Sequence, residues 1–333
     1  MKVRVTTTLI LLSIASLIIA LSLGSVRIPL SEVFSSLSPS MVSECLRGGN
    51  VGSNAYIILK IRLPRVLLAY IVGFSLASAG TASQALFKNP LADPYILGIS
   101  GGASVGAALA MVYAPKYVGL AALVGALLAV YIVYGLAKVD GHVPVDVLLL
   151  AGIALGFFSH ALTSYILYVN REEIHAGILW LMGTFSLADW GKLAVMIGAV
   201  LVGFSLLMFS WRELNLLLLG EESVALGLDV NLYRKLVIAA ISLLTGVAVA
   251  NSGIIGFVGL VSPHVMRLIV GPNHRRLLPA AALFGGVLMV LSDLISRVVI
   301  APAEVPVGII TALFGAPFFT YLLVRRKRGE LYA

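Results

Sequence analysis

Long stretches without charged residues dominate this sequence and predict its architecture. Nine stretches hold 16 to 31 consecutive residues that include no Lys, Arg, Asp or Glu. A helix needs about 20 apolar residues to cross the hydrocarbon core of a bilayer, which is ~30 Å thick. One such stretch could be a buried core helix, but nine in one chain predict a polytopic membrane protein.

The longest stretch, 236–266, holds two helices because Asn251, Ser252 and Gly253 are poor helix formers and interrupt it. The pattern therefore predicts an all-α protein with ten transmembrane helices. The predicted spans cover about 5–26, 66–87, 94–113, 117–138, 144–168, 192–211, 232–250, 257–270, 277–300 and 305–324.

Composition agrees with this interpretation and limits the chemistry. Hydrophobic residues make up 60% of the 333 residues and charged residues only 11%, which leaves no room for a separate soluble domain. We expect a single membrane domain over 1–333. The only cysteine, Cys45, excludes an intramolecular disulfide and a multi-cysteine metal site. The sequence shows no catalytic triad, paired catalytic carboxylates, metal-ligand cluster or phosphate-binding loop, so we expect no enzyme activity, cofactor, metal or nucleic-acid partner.

The distribution of basic residues predicts the orientation in the cell membrane. An even number of spans places both termini on one side, and the tail 325–328 consists of four basic residues. Cytoplasmic segments are enriched in Lys and Arg, so both termini are expected in the cytoplasm. This arrangement puts 14 of the 23 basic residues inside. Five of the remaining nine lie between Arg27 and Arg65, an excess on the outer side that requires an explanation.

Three glycines in the third span are spaced four residues apart, at Gly98, Gly102 and Gly106. Small residues at this spacing allow two transmembrane helices to approach closely. We therefore expect one face of this span to pack tightly against a neighbouring helix.

Four ordered segments together carry a family resemblance. They are Ile61-Arg-Leu-Pro-Arg65; Gln84-Ala-Leu-Phe-Lys-Asn-Pro-Leu-Ala-Asp-Pro94; Leu219-Gly-Glu-Glu-Ser-Val-Ala-Leu-Gly227; and Gly253 to Leu268, continued by 274–279 and 303–318. Over about residues 55–325 the chain resembles the permease subunits of type II ATP-binding-cassette (ABC) importers, the family of iron-siderophore, haem and vitamin B12 permeases.

The resemblance implies a homodimer with a pathway between the two copies. It also implies two cytoplasmic ABC ATPase subunits and an external substrate-binding protein, and a metal chelate of the iron-siderophore, haem or cobalamin type as cargo. The alternative is an ion-coupled secondary transporter, which would use acidic residues near the middle of the membrane as a relay. The predicted spans contain almost none, and Asp293 is placed to pair with Arg297 four residues later.

The resemblance also assigns roles to residues at the cytoplasmic side. The segment of about 213–231 between spans six and seven is expected to seat in the ATPase, and its glycines predict two short helices joined by a turn. The matching docking residues are Glu221, Glu222, Ala225 and Gly227. The gate is expected at Asn89 and Leu91 and at Val145 and Asp146, beside Pro90 and Pro144, although these four residues could also act only as helix caps.

Two further predictions concern the outer side and the middle of the membrane. Arg62, Arg65 and Arg297 match positions that meet carboxylates of the binding protein in the resembled family, while pairing within the chain is the alternative. His160 lies near the middle of span five, so it is expected to contact cargo such as a carboxylate-bearing chelate, or else to bond a neighbouring helix.

Overall fold

Long helices make up most of the described part of the molecule. A computed structural model describes residues 2–47, 49, 51–139, 142–170, 175–220, 227 and 229–327. Within this part there are ten helices of 13 residues or more, each overlapping one predicted span, and no β-strand, which confirms the all-α prediction. The helices are α1 Lys2–Ser22, α2 Leu63–Leu86, α3 Ile99–Tyr113, α4 Val118–Ala137, α5 Val145–Val169, α6 Trp190–Phe209, α7 Val230–Ser252, α8 Val258–Val270, α9 His274–Val298 and α10 Val307–Lys327.

Most of these helices suit a bilayer by length and composition. Six of the described helices are at least 18 residues long and apolar enough to span it, namely α1, α4, α5, α6, α7 and α9. Three shorter helices, α3, α8 and α10, are also apolar over 10–17 residues. The chain is therefore a multi-pass membrane protein. We call the end of the bundle at which α1 begins the inner end, and the opposite end the outer end.

The helix α2 forms the centre of the bundle. It is buried along nearly its whole length and packs against α6, α7, α8 and α9. Two glycines allow this: a methyl group on Gly73 would overlap the carbonyl of Gly285 in α9, and one on Gly80 would overlap that of Gly259 in α8. Because lipid gives helices no hydrophobic reason to associate, close backbone packing of this kind holds such bundles together.

The predicted tight face of α3 is confirmed at two of its three glycines. A methyl group on Gly102 would overlap the Gly125 carbonyl of α4, and one on Gly106 would overlap the Ala121 carbonyl. Gly98 instead adopts φ +78° immediately before the helix, a conformation that an L-residue with a Cβ rarely takes.

The helix α3 begins at Ile99 rather than at 94 as predicted. The Asp93 carboxylate accepts the Tyr95 N–H at 2.9 Å, and this cap starts a 3₁₀ helix over Pro94–Leu97. The left-handed Gly98 then ends that short helix and redirects the chain into α3. Local capping therefore displaces the start of the α-helix in a stretch that looks uniformly apolar.

The predicted interruption of the longest apolar stretch is confirmed. The helix α7 ends at Ser252, Gly253 adopts φ +71°, and α8 begins at Val258. Phe257 also has a positive φ, of 69°. Such a conformation costs a residue with a side chain on the order of 1–3 kcal/mol, which the surrounding packing has to offset.

Short helices cover both ends of the bundle. At the outer end lie the helices Leu30–Ser36, Pro39–Leu46 and Ser53–Tyr56, followed by a π-helical turn over Ile57–Arg62 that leads into α2. The helix His175–Leu181 stands between α5 and α6. At the inner end the helix Trp211–Leu217 follows α6 and packs against α2 and α9.

Candidate functional site

A buried ionic cluster lies at the outer end. Arg65 binds Asp293 through Nε (3.0 Å) and Nη2 (2.9 Å), and it binds Glu304 through Nη1 (2.8 Å). Arg297 approaches the second oxygen of Asp293 at 3.0 Å, which confirms the pairing predicted from their four-residue spacing. Asp293 is fully buried and shared by two guanidinium groups.

Two arginines of this region hold the end of α1. The last carbonyl groups of a helix have no partner within it, and cations are favoured there. Arg62 and Arg297 donate to such oxygens and to carbonyls just after the helix: the acceptors are Leu21, Ser22 and Val26 for Arg62, and Ala20 and Leu23 for Arg297. Burial, and then the neighbouring Arg297 cation, lower the pKa of Arg62 from its ordinary value.

The structure thus brings Arg62, Arg65 and Arg297 together, as expected of one functional surface, but it buries all three. Their guanidinium groups bind acceptors in the same chain, as expected if these arginines pair within the chain rather than with a binding protein. Docking of a partner protein on these arginines stays a prediction. In this cluster the side chain of Glu304, which is 33% exposed, is the most accessible member.

A cavity of about 820 Å³ opens beside α5 at the middle of the bundle. The 3₁₀ helix Pro94–Leu97, the start of α3 and the middle of α5 form its walls. His160 is exposed on α5 and lines this cavity. In the part of the chain that the structure describes, its ring is not bonded to a neighbouring helix, and its role as a cargo contact stays a prediction.

The cavity wall carries further polar groups that the sequence analysis did not single out. The hydroxyl groups of Ser104 on α3 and Thr163 on α5 lie 3.0 Å apart and join the two helices. Asp93 lines the same space. One sequence signal could have pointed to Asp93: it is the only charged residue between Lys88 and Lys116, and it directly precedes a proline.

The four predicted gate residues lie where chain segments turn at the inner end. The Asn89 side chain accepts the Leu91 N–H at 3.0 Å, which fixes a tight turn just after α2. Val145 and Asp146 form the first turn of α5, and the Asp146 side chain is exposed. These contacts are compatible with either a gate or simple capping, so the gate role stays a prediction.

Part of the predicted coupling segment can be located. Glu221, Glu222 and Ala225 lie outside the described residues. Gly227 is described; it is exposed and has φ +81°. Only a residue without a Cβ adopts this conformation without strain, which agrees with the turn that the glycine predicts.

Contacts near the start of this segment link it to the bundle, and the sequence analysis missed them. Asn215 accepts the His274 N–H at 3.0 Å and lies 2.8 Å from the Nδ1 atom of the same histidine, at the start of α9. The Lys88 ammonium, one residue before the gate turn, lies against Gly220. The coupling segment is therefore connected to α9 and to the end of α2.

A third link joins α2 to α8 nearby. Arg267 donates to the Gln84 side chain at 2.6 Å, and Gln84 donates to the Leu260 carbonyl at 3.4 Å. Gln84 lies near the inner end of α2, so these bonds attach α8 to the part of α2 that precedes the predicted gate residue Asn89.

A bundle of apolar helices with a cavity beside α5 and a short helix packed at its inner end suits a membrane permease. In agreement with this class, the chain belongs to the FecCD transport family, and the sequence model of that family matches residues 10–325. It is thus a permease subunit of an ABC transporter, a transport protein rather than an enzyme, as the resemblance implied.

Individual relatives support the same assignment. The chain is 45% identical over 276 residues to the cobalamin import system permease protein of Halobacterium salinarum, covering 81% of this chain and 74% of the relative. It is 39% identical over 338 residues to the hemin transport system permease protein of Yersinia pestis, with 98% of each chain covered. A solved structure described as an inward-facing ABC transporter of the metal-chelate type superposes with a TM-score of 0.84 at 32% identity, over 97% of this chain and 99% of the other.

Proposed function

We propose that two copies of this chain form the membrane pathway of an ABC importer that moves a metal chelate into the cell. Two ABC ATPase subunits bind at the inner end and supply the energy, and an external binding protein delivers the cargo at the outer end. Both termini face the cytoplasm. The cargo is an iron-siderophore, a haem or a cobalamin.

The observation that carries this proposal is the pair of relatives named for cobalamin import and for hemin transport, both similar over most of the chain. Cobalamin and hemin have one chemical feature in common, a metal ion held in a large organic ring. The cavity of about 820 Å³ in one copy supports a cargo of that size, because ligand sites commonly measure about 300–1,000 Å³.

The proposal assigns the predicted residues to three steps. Cargo delivery uses the outer surface around Arg62, Arg65 and Arg297. ATPase movement enters through Glu221, Glu222, Ala225 and Gly227. The pathway closes at Asn89 and Leu91 with Val145 and Asp146, and the contacts of Lys88 and Asn215 support a mechanical connection between coupling segment and gate.

The test is uptake by the complete transporter in liposomes. The permease is reconstituted with its ATPase and binding protein, and uptake of labelled cobalamin and haem is measured with ATP inside or outside the vesicles. We expect uptake only when the ATPase can hydrolyse ATP, and unchanged uptake when an ionophore dissipates ion gradients. Uptake that persists with an ATPase variant unable to hydrolyse ATP, and that stops with the ionophore, would instead establish an ion-coupled secondary transporter.

A further inference from the structure

A carboxylate, that of Asp93, lies in the wall of the cavity near the middle of the helical bundle. After α2 ends at Leu86, the chain turns back into the bundle. A methyl group built on Gly259 of α8 would lie 2.8 Å from Pro94 Cδ and 2.9 Å from the carbonyl oxygen of Leu76, a residue in the middle of α2. The Tyr95 hydroxyl reaches the Ile255 carbonyl at 3.2 Å, between α7 and α8. Asp93 is adjacent to these residues and therefore lies deep in the bundle.

The Asp93 carboxylate is only partly satisfied by the protein. One oxygen accepts the Tyr95 N–H. The ion pairs recorded among the described residues involve Arg65 and Arg297 with Asp293 and Glu304, and none involves Asp93. Among the described residues that line the cavity there is no Lys or Arg. A buried carboxylate without a cation is costly unless hydrogen-bond donors face it.

The other polar groups that the structure describes in the cavity wall supply hydrogen-bond donors and acceptors. His160 is exposed to the cavity on α5, and a neutral imidazole offers one donor and one acceptor. Ser100 and Ser164 line the wall as well. Such a surface suits a cargo that is rich in N–H donors and repels a cargo that carries carboxylates, since like charges brought together in a dry site are unfavourable.

We propose that Asp93, together with His160, contacts the cargo inside the cavity and selects metal chelates whose periphery carries amides and no net negative charge over chelates that carry carboxylates. This inference rests on the proposed import function and narrows its cargo class. It also replaces the expectation that His160 meets a carboxylate-bearing chelate, because the acid in the same wall disfavours that cargo.

Two probes that differ only in their peripheral groups, amides in one and carboxylates in the other, test this selectivity directly. Cyanocobalamin carries peripheral amides, and mild hydrolysis converts some of them into carboxylates without changing the ring. Binding of both compounds to the detergent-solubilised permease–ATPase complex is measured by equilibrium dialysis without a binding protein. For the wild type we expect the dissociation constant of the amide form to be at least about tenfold lower than that of its carboxylate derivative.

The decisive variant is Asp93→Asn, which removes the charge but keeps the side-chain shape and an acceptor for the Tyr95 N–H. We expect the ratio of the two affinities to fall to about threefold or less, chiefly because the carboxylate derivative binds more tightly. The matched control is Asp189→Asn. Asp189 also caps a helix, accepting the Lys192 N–H at 2.9 Å at the start of α6, but it does not line the cavity. Its ratio should equal that of the wild type. A second variant, His160→Phe, should weaken the binding of both probes.

The outcomes separate this inference from the proposed function. An affinity ratio that Asp93→Asn leaves unchanged, or a wild-type complex that binds neither probe, would overturn the inference. Failure of ATP-dependent uptake of every chelate in the complete transporter would instead overturn the proposed function. Normal uptake with an unchanged ratio would retain the import function and discard the role of Asp93.

Discussion

Single residues at the outer end show how charge is retained in a membrane protein. Asp293 is fully buried, yet it meets Arg65 and Arg297, and these arginines satisfy further acceptors on α1 and at Glu304. A buried ion pair is weak evidence for added stability, but removal of one partner leaves an uncompensated charge. The cluster therefore behaves as a unit that joins α1, α2 and α9.

Replacement of Arg65 by leucine should destabilise the permease by about 3 kcal/mol or more, because Asp293 and Glu304 would both lose a partner. The measurement is thermal unfolding of the purified protein in detergent. Arg27→Leu is the control, since Arg27 is exposed and makes no recorded ion pair within the described chain. If Arg65→Leu left the midpoint temperature of unfolding unchanged but slowed association of the binding protein, the docking assignment would gain support instead.

Charge reversal addresses docking separately. Arg62→Glu or Arg65→Glu is expected to slow association of the binding protein and to reduce uptake, because opposite charges at a rim accelerate encounter and this effect weakens with salt. Association rates are measured at several salt concentrations, with basal ATPase activity as the check of an intact complex. A rate and a salt dependence equal to those of the wild type would show that these arginines are purely structural.

At the scale of elements, backbone proximity decides which helices move together. α2 and α8 touch where a methyl group on Gly80 would overlap the Gly259 carbonyl. The helix Trp211–Leu217 contacts both α2 and α9. If the predicted coupling segment transmits force, that force reaches helices whose backbones are in close contact.

The contact at Gly80 should not tolerate a side chain. Gly80→Val would separate α2 from α8 and is expected to cost about 3 kcal/mol, the upper part of the usual range for overpacking. Gly135→Val is the matched control, because a Cβ at Gly135 meets no atom within 4 Å. Thermal unfolding and the yield of monodisperse protein report the difference. Equal stability of the two variants would contradict the close packing.

The turn at Gly227 should matter for coupling rather than for folding. Gly227→Val forces a side chain into φ +81° although no neighbouring atom lies within 4 Å, and the strain is on the order of 1–3 kcal/mol. We expect the segment to rearrange, so that ATP is still hydrolysed but cargo uptake per ATP falls several-fold. Gly198→Val in α6, an open site with ordinary φ, is the control. Wild-type uptake per ATP in Gly227→Val would count against the coupling assignment.

At the scale of the whole molecule, the proposed pathway requires two copies. The turn at Asn89 and Leu91, where the gate is predicted, lies at the inner end of the bundle, and the cavity opens on the side of α5. A single copy leaves this cavity unenclosed, whereas a second copy across it would complete a channel. The gate would then consist of equivalent residues from both chains.

Crosslinking between copies tests this arrangement. Leu91→Cys is introduced in a Cys45→Ser background, which removes the only native cysteine. We expect a short bifunctional thiol reagent to join the two chains in the resting state and the yield to change with bound nucleotide. Leu120→Cys serves as the control, because Leu120 is exposed near the start of α4, at the opposite end of the bundle. Absence of crosslinking at Leu91 in every nucleotide state would exclude it from the gate.

Much of the fold was predictable because a bilayer imposes a strict rule on sequence. Each span must be apolar over a length set by the membrane, so stretches without charge mark the helices. Local chemistry that competes with this rule was harder to anticipate. The cap by Asp93 and the left-handed Gly98 delay the start of α3 to Ile99, although residues 94–115 carry no charge.

The sequence by itself determined the class of protein, the helices, the interruption at Gly253 and the family, because these depend on hydrophobic length, local backbone preference and ordered motifs. Only the tertiary structure decided which polar residues meet. Arg65 and Asp293 are 228 positions apart, and no periodic pattern in the sequence could connect two residues at that distance. Likewise, Asp93 and His160 line one cavity only because the chain turns back into the bundle after α2. Three-dimensional packing sets such contacts, so the partners of the outer arginines and the acid in the cavity became visible only in the folded chain.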